Sequence, residues 1–327
     1  MAEQRHWIDL AKKRVKSVLS TRLFANIRQL ESKIAESGPD GQRCNPHIIS
    51  QALRELVREE ILIKEGPFYF LAAHLKTPLK SARLQQRKRQ IIPIYEKYLR
   101  LTQREPDACG SVLEDILDFA ISSSPNYQEL GSRARPLLTF GNVTLPGALD
   151  NISILTAEAA TYLVCFEAKN IREWIYGESH ELWSLINKAN CLSESVIKPL
   201  PILVCRKIPW YSRHAFEHLG VLGFETHRQV FNPLYETELA DIRHKDDLGF
   251  HDITTNTTPS PALLNFLNAT IPEQAKKYSA KFVSNKPLFD WVAKPLADKN
   301  LPWVDRHALW KDVKEELGIF DRMARDE

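Results

Sequence analysis

The amino-acid sequence predicts an α/β (α+β) protein. Its central part is a mixed sheet flanked by helices, with a mainly helical N-terminal domain before it and a helical C-terminal region after it. Three patterns support this prediction. Residues 145–170 hold two apolar runs joined by a small polar link, which is the pattern of a β-hairpin, and the apolar run at 200–205 adds a strand. Helical periodicity dominates both ends of the chain. A Thr-, Asn- and Pro-rich segment at 246–261 separates the sheet from the C-terminal helices.

Composition narrows the class of protein. The 327 residues suffice for two or three domains. No apolar run approaches the roughly 20 residues that cross a bilayer, and the charged N-terminus lacks the apolar core of a signal peptide. The five cysteines are odd in number and have no C-x-x-C spacing, which favours reduced thiols over disulfides or zinc. The sequence therefore predicts a cytoplasmic protein without a membrane partner.

Charge is distributed unevenly along the chain. Residues 1–104 hold 21 Lys and Arg against 10 Asp and Glu, a balance of +11. The remaining residues hold 23 basic and 31 acidic side chains, a balance of −8. A basic domain attached to an acidic one suits a protein that binds a polyanion with the first part and cations with the second. A solvated basic face without a partner is the alternative.

Residues 1–75 are predicted to form the N-terminal domain. One helical segment is followed by a second, Thr21–Ser37, which ends at a Gly- and Pro-rich turn. Asn45 and Pro46 then supply the N-cap and the first position of another helix. Two short apolar runs separated by Gly66 follow that helix. The order of helix, turn, helix and hairpin resembles a winged helix.

In DNA-binding winged helices the second helix of the motif enters the major groove. That resemblance implies a reading face formed by Gln51, Arg54 and Arg58, since the apolar positions of the helix lie on its other side. A purely protein-binding role for the domain remains the alternative.

Residues 76–104 are predicted to form a basic connector that leads into a helix from Ile94 to Leu101. Its cluster of Arg87, Lys88 and Arg89 has the charge and spacing to contact phosphates. A solvated linker helix explains the same composition equally well.

Asp150, Glu167 and Lys169 are predicted to converge at one end of the β-hairpin. Glu167 and Lys169 are two residues apart and project from the same face of the second strand. In an antiparallel pair the start of the first strand lies opposite the end of the second, which brings Asp150 beside Glu167. Two carboxylates are the oxygen ligands that Mg²⁺ or Mn²⁺ prefers. A neighbouring lysine can orient water or stabilise developing phosphate charge.

These residues resemble the signature of the PD-(D/E)xK nuclease superfamily, which has the restriction-endonuclease-like fold. Glu167-Ala168-Lys169 matches the second half of the signature. The first half departs from it, because Pro146 lies four residues before Asp150. The resemblance covers roughly residues 105–235. Further matching segments are an acidic helix containing Glu114, the hairpin, a helix from Trp174 to Leu192 and the strand Leu200–Arg206.

The resemblance implies a metal-dependent DNA endonuclease that hydrolyses phosphodiester bonds. Asp150, Glu167 and the Ala168 carbonyl would hold Mg²⁺ or Mn²⁺, Lys169 would position the nucleophile, and Glu114 would assist. The expected partner is DNA, in double-stranded form, and cleavage of both strands would need a homodimer, a second nicking event or a partner protein. The implied setting is restriction, phage defence or mobile-element processing. The alternatives are a catalytically idle DNA-binding scaffold and a structure-specific repair or recombination nuclease.

Residues 105–245 are predicted to form the nuclease-like core, which ends in a strand from Val221 to Phe231, and 246–327 the linker and the helical C-terminal region. One further motif lies in the core, His214-x-x-Glu217-His218, which matches a zinc-peptidase pattern. A third ligand is missing, and the segment is interpreted as a short connector between strands. The sequence therefore does not predict zinc catalysis.

Overall fold

A computed structural model describes residues 2–36, 44–157 and 160–319 of the chain. The chain divides into two compact units. Unit 1 holds the residues up to Glu105 together with Tyr235–Ile253, and unit 2 holds Pro106–Leu234 together with the residues from Thr254 on. Residues 235–253 thus belong with the N-terminal unit, whereas the sequence places them in the core and the linker. The predicted turn at 37–41 and the end of the C-terminal region lie outside the described residues.

The helices and strands follow one another along both units. The helices are α1 (Ala2–Arg22), α2 (Ile27–Glu31), α3 (Pro46–Arg58), α4 (Pro78–Gln103), α5 (Val112–Ser122), α6 (His180–Asn190), α7 (Trp210–Leu219), α8 (Glu236–Arg243), α9 (Pro261–Asn265), α10 (Ile271–Ser284), α11 (Lys286–Ala297) and α12 (Trp303–Glu316). The strands are β1 (Ala25–Asn26), β2 (Leu62–Glu65), β3 (Phe68–Leu71), β4 (Tyr127–Ser132), β5 (Thr139–Phe140), β6 (Val143–Thr144), β7 (Asn151–Ala157), β8 (Ala160–Lys169), β9 (Lys198–Cys205), β10 (Leu222–Glu225), β11 (Gln229–Val230) and β12 (Ile253–Thr254). Short π-helical segments follow α2 and α9, and 3-10 turns precede α4 and α8.

Unit 1 packs its helices against a small antiparallel sheet of order β1-β3-β2. The helix α3 has a strongly amphipathic sequence, and its apolar stripe is buried while Arg54 and Arg58 are exposed. Phe24 stacks on Phe68 of β3 with ring centroids 4.4 Å apart, which ties the segment after α1 to the sheet. The helix and the hairpin on which the winged-helix resemblance rests are both present.

Two expectations for unit 1 differ from the structure. The segment predicted as one helix, Thr21–Ser37, instead contains the strand β1 and the short helix α2, because Asn26 caps α2 by accepting from the Gln29 N–H at 2.9 Å. The helix of the basic connector begins at Pro78 and not at Ile94. Pro78 at the first helical position starts it cleanly, and it continues through Pro93 over 26 residues.

Unit 2 is built on a five-stranded mixed sheet of order β10-β9-β8-β7-β4. β7 and β8 form the predicted antiparallel hairpin, with Asn151 opposite Phe166. β8, β9 and β10 are parallel, so that Lys169 pairs with Cys205 and Glu225 also pairs with Cys205. The carboxyl ends of these three strands therefore lie at one edge of the sheet.

Helices cover both faces of this sheet. The side chains of β8 alternate, so that Leu163 and Cys165 belong to one apolar cluster with α6, α7 and α11, while Val164 and Phe166 belong to another with α5 and the start of α10. Burial on both faces explains why the strand is apolar along most of its length. The predicted fold class, a mixed sheet flanked by helices with a helical C-terminal region, is confirmed.

Three elements of unit 2 differ from the sequence-based expectations. β4, which pairs with β7 at the sheet edge, was not predicted. The helix expected from Trp174 to Leu192 is limited to α6 and begins only at His180. The strand expected at Val221–Phe231 is split into β10 and β11, since His227 between them has a φ of 55° that an extended strand cannot contain. Among the described helices, none is both long enough and apolar enough to cross a membrane.

Candidate functional site

The hairpin brings Asp150, Glu167 and Lys169 together. The Asp150 N–H donates to the Phe166 carbonyl at 3.1 Å, and Asn151 lies opposite the same residue. Asp150 is therefore placed beside Glu167, the next residue on β8. Glu167 and Lys169 project from the face of the sheet that α6 covers, because they alternate with the buried Phe166 and Ala168.

Short contacts join the three side chains. Lys169 Nζ lies 2.6 Å from Glu167 Oε1 and 3.5 Å from Asp150 Oδ2. The Ala168 N–H donates to the same Asp150 oxygen at 2.6 Å. Since the N–H and C=O of one residue leave an extended strand on the same side, the Ala168 carbonyl also faces the Asp150 side of β8. The ammonium thus bridges the two carboxylates.

A second lysine, Lys188 of α6, completes this cluster. Its Nζ donates to Glu167 Oε1 at 3.1 Å and to Oε2 at 2.9 Å. Sequence reasoning missed this residue, although a signal exists. Lys188 lies three residues after Leu185 and four before Leu192, so that it interrupts the apolar stripe by which α6 packs on the sheet. A lysine in that position needs a buried anionic partner.

Burial and the repulsion between neighbouring carboxylates make the ionised form of Asp150 less favourable. The Glu167 side chain is 4% exposed. Burial, and then the charge of Glu167, raise the pKa of Asp150, although Lys169 acts against this. For Lys169, burial alone would lower the pKa, but the charges of Glu167 and Asp150 raise it overall. Lys169 therefore remains an ammonium group at neutral pH.

Glu114 lies in the first turn of α5, where it is electrostatically coupled to Asp150 and Lys169. Burial, together with the negative charge of Asp150, raises the pKa of Glu114 to about 7. It is ion-paired with Arg133, whose Nε lies 3.8 Å from Glu114 Oε2. The structure thus brings all four predicted catalytic residues into one electrostatic network, while their roles stay predictions.

The carboxylate oxygens of Asp150 and Glu167 are of the type that binds a hard divalent cation. Asp150 and Glu167 are carboxylates that are held close together, and burial, followed by the charge of Glu167, raises the pKa of Asp150; a bound cation would oppose both effects. Among the described residues, no group of three or more His, Cys, Asp or Glu side chains forms a ready metal site. A cation between Asp150 and Glu167 would share Glu167 with the two lysines.

Asn170 fixes the end of β8 immediately after Lys169. Its Nδ2 donates to the carbonyl oxygens of Cys109 at 2.8 Å and Val230 at 2.5 Å, and its Oδ1 accepts from the Val230 N–H at 2.9 Å. The side chain is buried, so these bonds satisfy backbone groups that water does not reach. Asn170 therefore anchors the strand that carries Glu167 and Lys169.

The three predicted DNA-reading residues lie on α3 in unit 1. Arg54 and Arg58 are exposed one turn apart, and Gln51 is half-buried, with its Nε2 3.5 Å from Glu55 Oε1. The exposed face of α3 therefore presents two guanidinium groups to solvent.

The connector residues lie on α4 and differ from one another. Arg87 contacts Asp247 Oδ1 at 3.3 Å and is 16% exposed. Lys88 is ion-paired with Glu65 and sits 4.5 Å from the centroid of the Phe70 ring. Arg89 is exposed. Arg87 and Lys88 are thus engaged within unit 1, which leaves Arg89 as the accessible cation of the three.

The H-x-x-E-H residues lie on α7, the short helix that connects β9 and β10. The rings of His214 and His218 are 4.5 Å apart, and Glu217 is paired with Lys277 at 2.6 Å. This glutamate is therefore held by a surface ion pair at the end of α7.

Comparisons with known proteins add little to this geometry. No protein-family model matches the chain, and no curated protein matches it. Among solved structures, the restriction endonuclease FokI bound to DNA is similar at 12% identity and a TM-score of 0.24. The match covers 70% of this chain and 44% of that one. A similarity of this size carries no weight of its own.

Proposed function

We propose that the protein is a metal-dependent DNA endonuclease that hydrolyses phosphodiester bonds at the Asp150–Glu167–Lys169 cluster. The single observation that carries the proposal is the bridge of Lys169 between Asp150 and Glu167 at the end of the hairpin. Carboxylates and a protonated amine at one buried point cost free energy to assemble. Such an arrangement is typical of sites that bind cations and act on anions.

The cluster would divide the work among its residues. Lys169 stays protonated, so it acts as a hydrogen-bond donor that orients the attacking water and stabilises charge on the phosphate, and not as a base. Glu114, with a pKa of about 7, can accept a proton near neutral pH. Asn170 holds the end of β8 so that Lys169 keeps its position.

Asp150, Glu167 and the Ala168 carbonyl would hold Mg²⁺ or Mn²⁺. When bound, the cation supplies charge for the phosphate oxygens and acidifies water. Lys188 would then keep its contact with Glu167 or turn towards the substrate. The ammonium groups of Lys169 and Lys188 already balance the charges of Asp150 and Glu167, so the protein alone is not left with an uncompensated buried charge.

Unit 1 would supply DNA affinity. The exposed Arg54 and Arg58 on α3, and Arg89 on α4, offer cations to the phosphate backbone, and the first 104 residues carry a net charge of +11. The expected substrate is double-stranded DNA. Restriction, phage defence or mobile-element processing is the setting that this activity would suit. Cutting both strands would take a homodimer, a second nicking event or a partner protein.

Cleavage of plasmid and branched DNA with Mg²⁺ or Mn²⁺ tests the proposal. Asp150→Asn and Lys169→Met should each reduce the cleavage rate by two orders of magnitude or more, as loss of a preorganised electrostatic group does. Lys311→Met, at an exposed lysine of α12, is the matched control and should cut like the wild type. Unchanged cleavage by the Asp150 and Lys169 variants would falsify the site.

The same assay separates the proposal from its alternatives. Binding without cleavage in either cation would indicate an idle scaffold on a nuclease-like fold. Cleavage of branched DNA alone would indicate a structure-specific repair or recombination nuclease.

A further inference from the structure

A second cluster lies at the carboxyl edge of the sheet, next to the candidate site. Lys169 at the end of β8 pairs with Cys205 at the end of β9, and the chain continues into Arg206 and Lys207. Glu225 at the end of β10 lies beside Cys205 on its other side. The side chains that follow these strands form a surface that we call the basic-aromatic rim. It comprises Trp174, Lys207, Trp210, Tyr211 and Arg213.

The rim carries a surplus of positive charge. Lys207 and Arg213 both contact the carboxylate of Glu225, the first at 3.9 Å and the second as a close ion pair. That carboxylate is 3% exposed, whereas the Arg213 side chain is 58% exposed. The pKa of the exposed His227 is lowered, first by burial and then by the charges of Lys207, Arg213 and Arg206. Several cations are therefore close together around one buried acid.

Aromatic rings lie among these cations. Trp210 is 57% exposed at the start of α7, and its ring meets Tyr211 edge-to-face at 6.4 Å. Tyr211 in turn lies 6.1 Å from Tyr176. Lys207 sits 5.8 Å from the centre of the Trp174 ring. An exposed indole supported by other rings offers a flat surface on which another ring can stack.

We infer that the basic-aromatic rim binds a single-stranded stretch of DNA, with a base stacked on Trp210 and phosphates beside Lys207 and Arg213. Stacking on aromatic side chains along a basic groove is how proteins hold single strands, because every unpaired base has a free π-face. In a duplex those faces are covered by neighbouring base pairs. The inference rests on the proposed function, since it assigns that site a substrate with an unpaired segment.

The position of the rim supports this assignment. Cys205 is the register partner of both Lys169 and Glu225, so the rim begins at the residue after the strand pair that carries the candidate catalytic lysine. A DNA strand bound at the rim would run along the edge of the sheet at which Asp150, Glu167 and Lys169 meet. Asp150 and Glu167 are balanced by Lys169 and Lys188, so the cations of the rim add positive charge beside a cluster that has none to spare.

Binding of the full-length protein, in EDTA to prevent cleavage, provides the test. Fluorescence anisotropy would compare an oligothymidine of about 16 nucleotides, the upper end of known site sizes, with a duplex of the same length. Trp210→Ala should weaken binding of the oligothymidine about tenfold and leave duplex binding within about twofold of the wild type. Trp303→Ala is the matched control. Trp303 is 67% exposed and, like Trp210, is the first residue of a helix that follows a proline.

A second pair of variants tests the charges. Lys207→Gln should reduce the magnitude of the slope of log affinity against log salt by about 0.7, the value for one lost phosphate contact to a single strand. Lys311→Gln, far along the chain on α12, should not change it. Equal losses for duplex and single strand, or no loss in either set of variants, would overturn the inference. So would equally tight competition by an acidic peptide, which would assign the rim to a protein partner.

The outcome is separable from that of the nuclease proposal. If wild-type protein cuts no DNA but Trp210→Ala loses single-strand binding, the rim assignment stands and the hydrolytic one fails. If cleavage depends on Asp150 while the rim variants bind and cut single-stranded and branched DNA like the wild type, the rim assignment fails alone.

Discussion

Lys188 donates hydrogen bonds to both carboxylate oxygens of Glu167, at 3.1 and 2.9 Å. Lys169 approaches one of the same oxygens at 2.6 Å. One lysine comes from α6 and the other from β8, so the packing of a helix on a strand places two ammonium groups on one buried carboxylate. A divalent cation at Glu167 would have to compete with both.

The first prediction concerns that competition. Lys188→Met should tighten binding of Mn²⁺ by at least about tenfold, because two unit charges about 4 Å apart near a protein surface interact by several kcal/mol and 1.4 kcal/mol already corresponds to tenfold. Isothermal titration calorimetry without nucleic acid measures this directly.

Lys188→Arg keeps the charge and should bind Mn²⁺ like the wild type, and Lys311→Met removes a distant charge and serves as the second control. Weaker or unchanged binding by Lys188→Met would show that Lys188 does not compete with the cation.

The second prediction separates cations that face solvent from cations that hold unit 1 together. Arg54→Gln with Arg58→Gln should leave the thermal midpoint unchanged. The double variant should lower the salt dependence of duplex binding by about 0.9 for each lost phosphate contact. Lys88→Ala should instead destabilise the fold by about 1–2 kcal/mol, since Lys88 pairs with Glu65 and lies over the Phe70 ring.

Arg89→Gln is the comparison within α4, because Arg89 is exposed beside Lys88. It should behave like the α3 variants. A loss of stability in the α3 variants, or none in Lys88→Ala, would contradict this division of roles.

The sequence predicted the core of the candidate site because its determinants are local. A hairpin with strict alternation fixes which residues face each other, so that Asp150 had to approach Glu167 and Lys169. The apolar run before Glu167 also predicted a central strand, where a charge needs a partner.

Other features of the site and of unit 1 could not be predicted from local sequence patterns, because they depend on tertiary contacts. Lys188 reaches Glu167 only because α6 packs on β8, a tertiary relationship that helical spacing suggests but does not orient. The clusters Arg87–Asp247 and Lys88–Glu65 likewise join residues distant in sequence, so a basic run could not reveal which of its members are free. The strand β1 has only two residues, and pairing with β3 overrides the helical pattern around it.

The third prediction concerns Asn170. Asn170→Ala should destabilise the protein by about 2–4 kcal/mol, because it leaves the Cys109 carbonyl and both backbone groups of Val230 buried without their side-chain partner. Cleavage should fall as well, since the strand end that carries Lys169 loses its anchor. Chemical denaturation and initial cleavage rates report the two effects.

Asn170→Asp tests whether the hydrogen bonds of Asn170, and not only its volume, stabilise the protein. It keeps the shape and the acceptor for the Val230 N–H but cannot donate, so it should also be strongly destabilised. Asn268→Ala, at an exposed asparagine of unit 2 that donates to the Leu264 carbonyl, is the control and should cost less than about 1 kcal/mol. If the Asn170→Asp variant were as stable as the wild type, the hydrogen bonds that Asn170 donates would contribute little to the free energy of unfolding.

The fourth prediction follows from Glu114. Its pKa in the folded protein is about 7, against 4.5 for an ordinary glutamate. The folded chain therefore binds this proton more tightly than the unfolded chain does. Stability falls as pH rises from 4.5 to about 7, and the cost is fully present above that range. Glu114→Gln removes the charge while keeping the shape.

Without divalent cations, Glu114→Gln should thus match the wild type below pH 4.5 and exceed its stability at pH 8. The gain should be of the order of 1–3 kcal/mol. Denaturation in EDTA at several pH values measures it. Asp305→Asn, at an exposed carboxylate in the first turn of α12, should give no such pH-dependent gain. If Glu114→Gln and the wild type keep a constant difference from pH 4.5 to 8, burial and Asp150 do not hold the Glu114 proton.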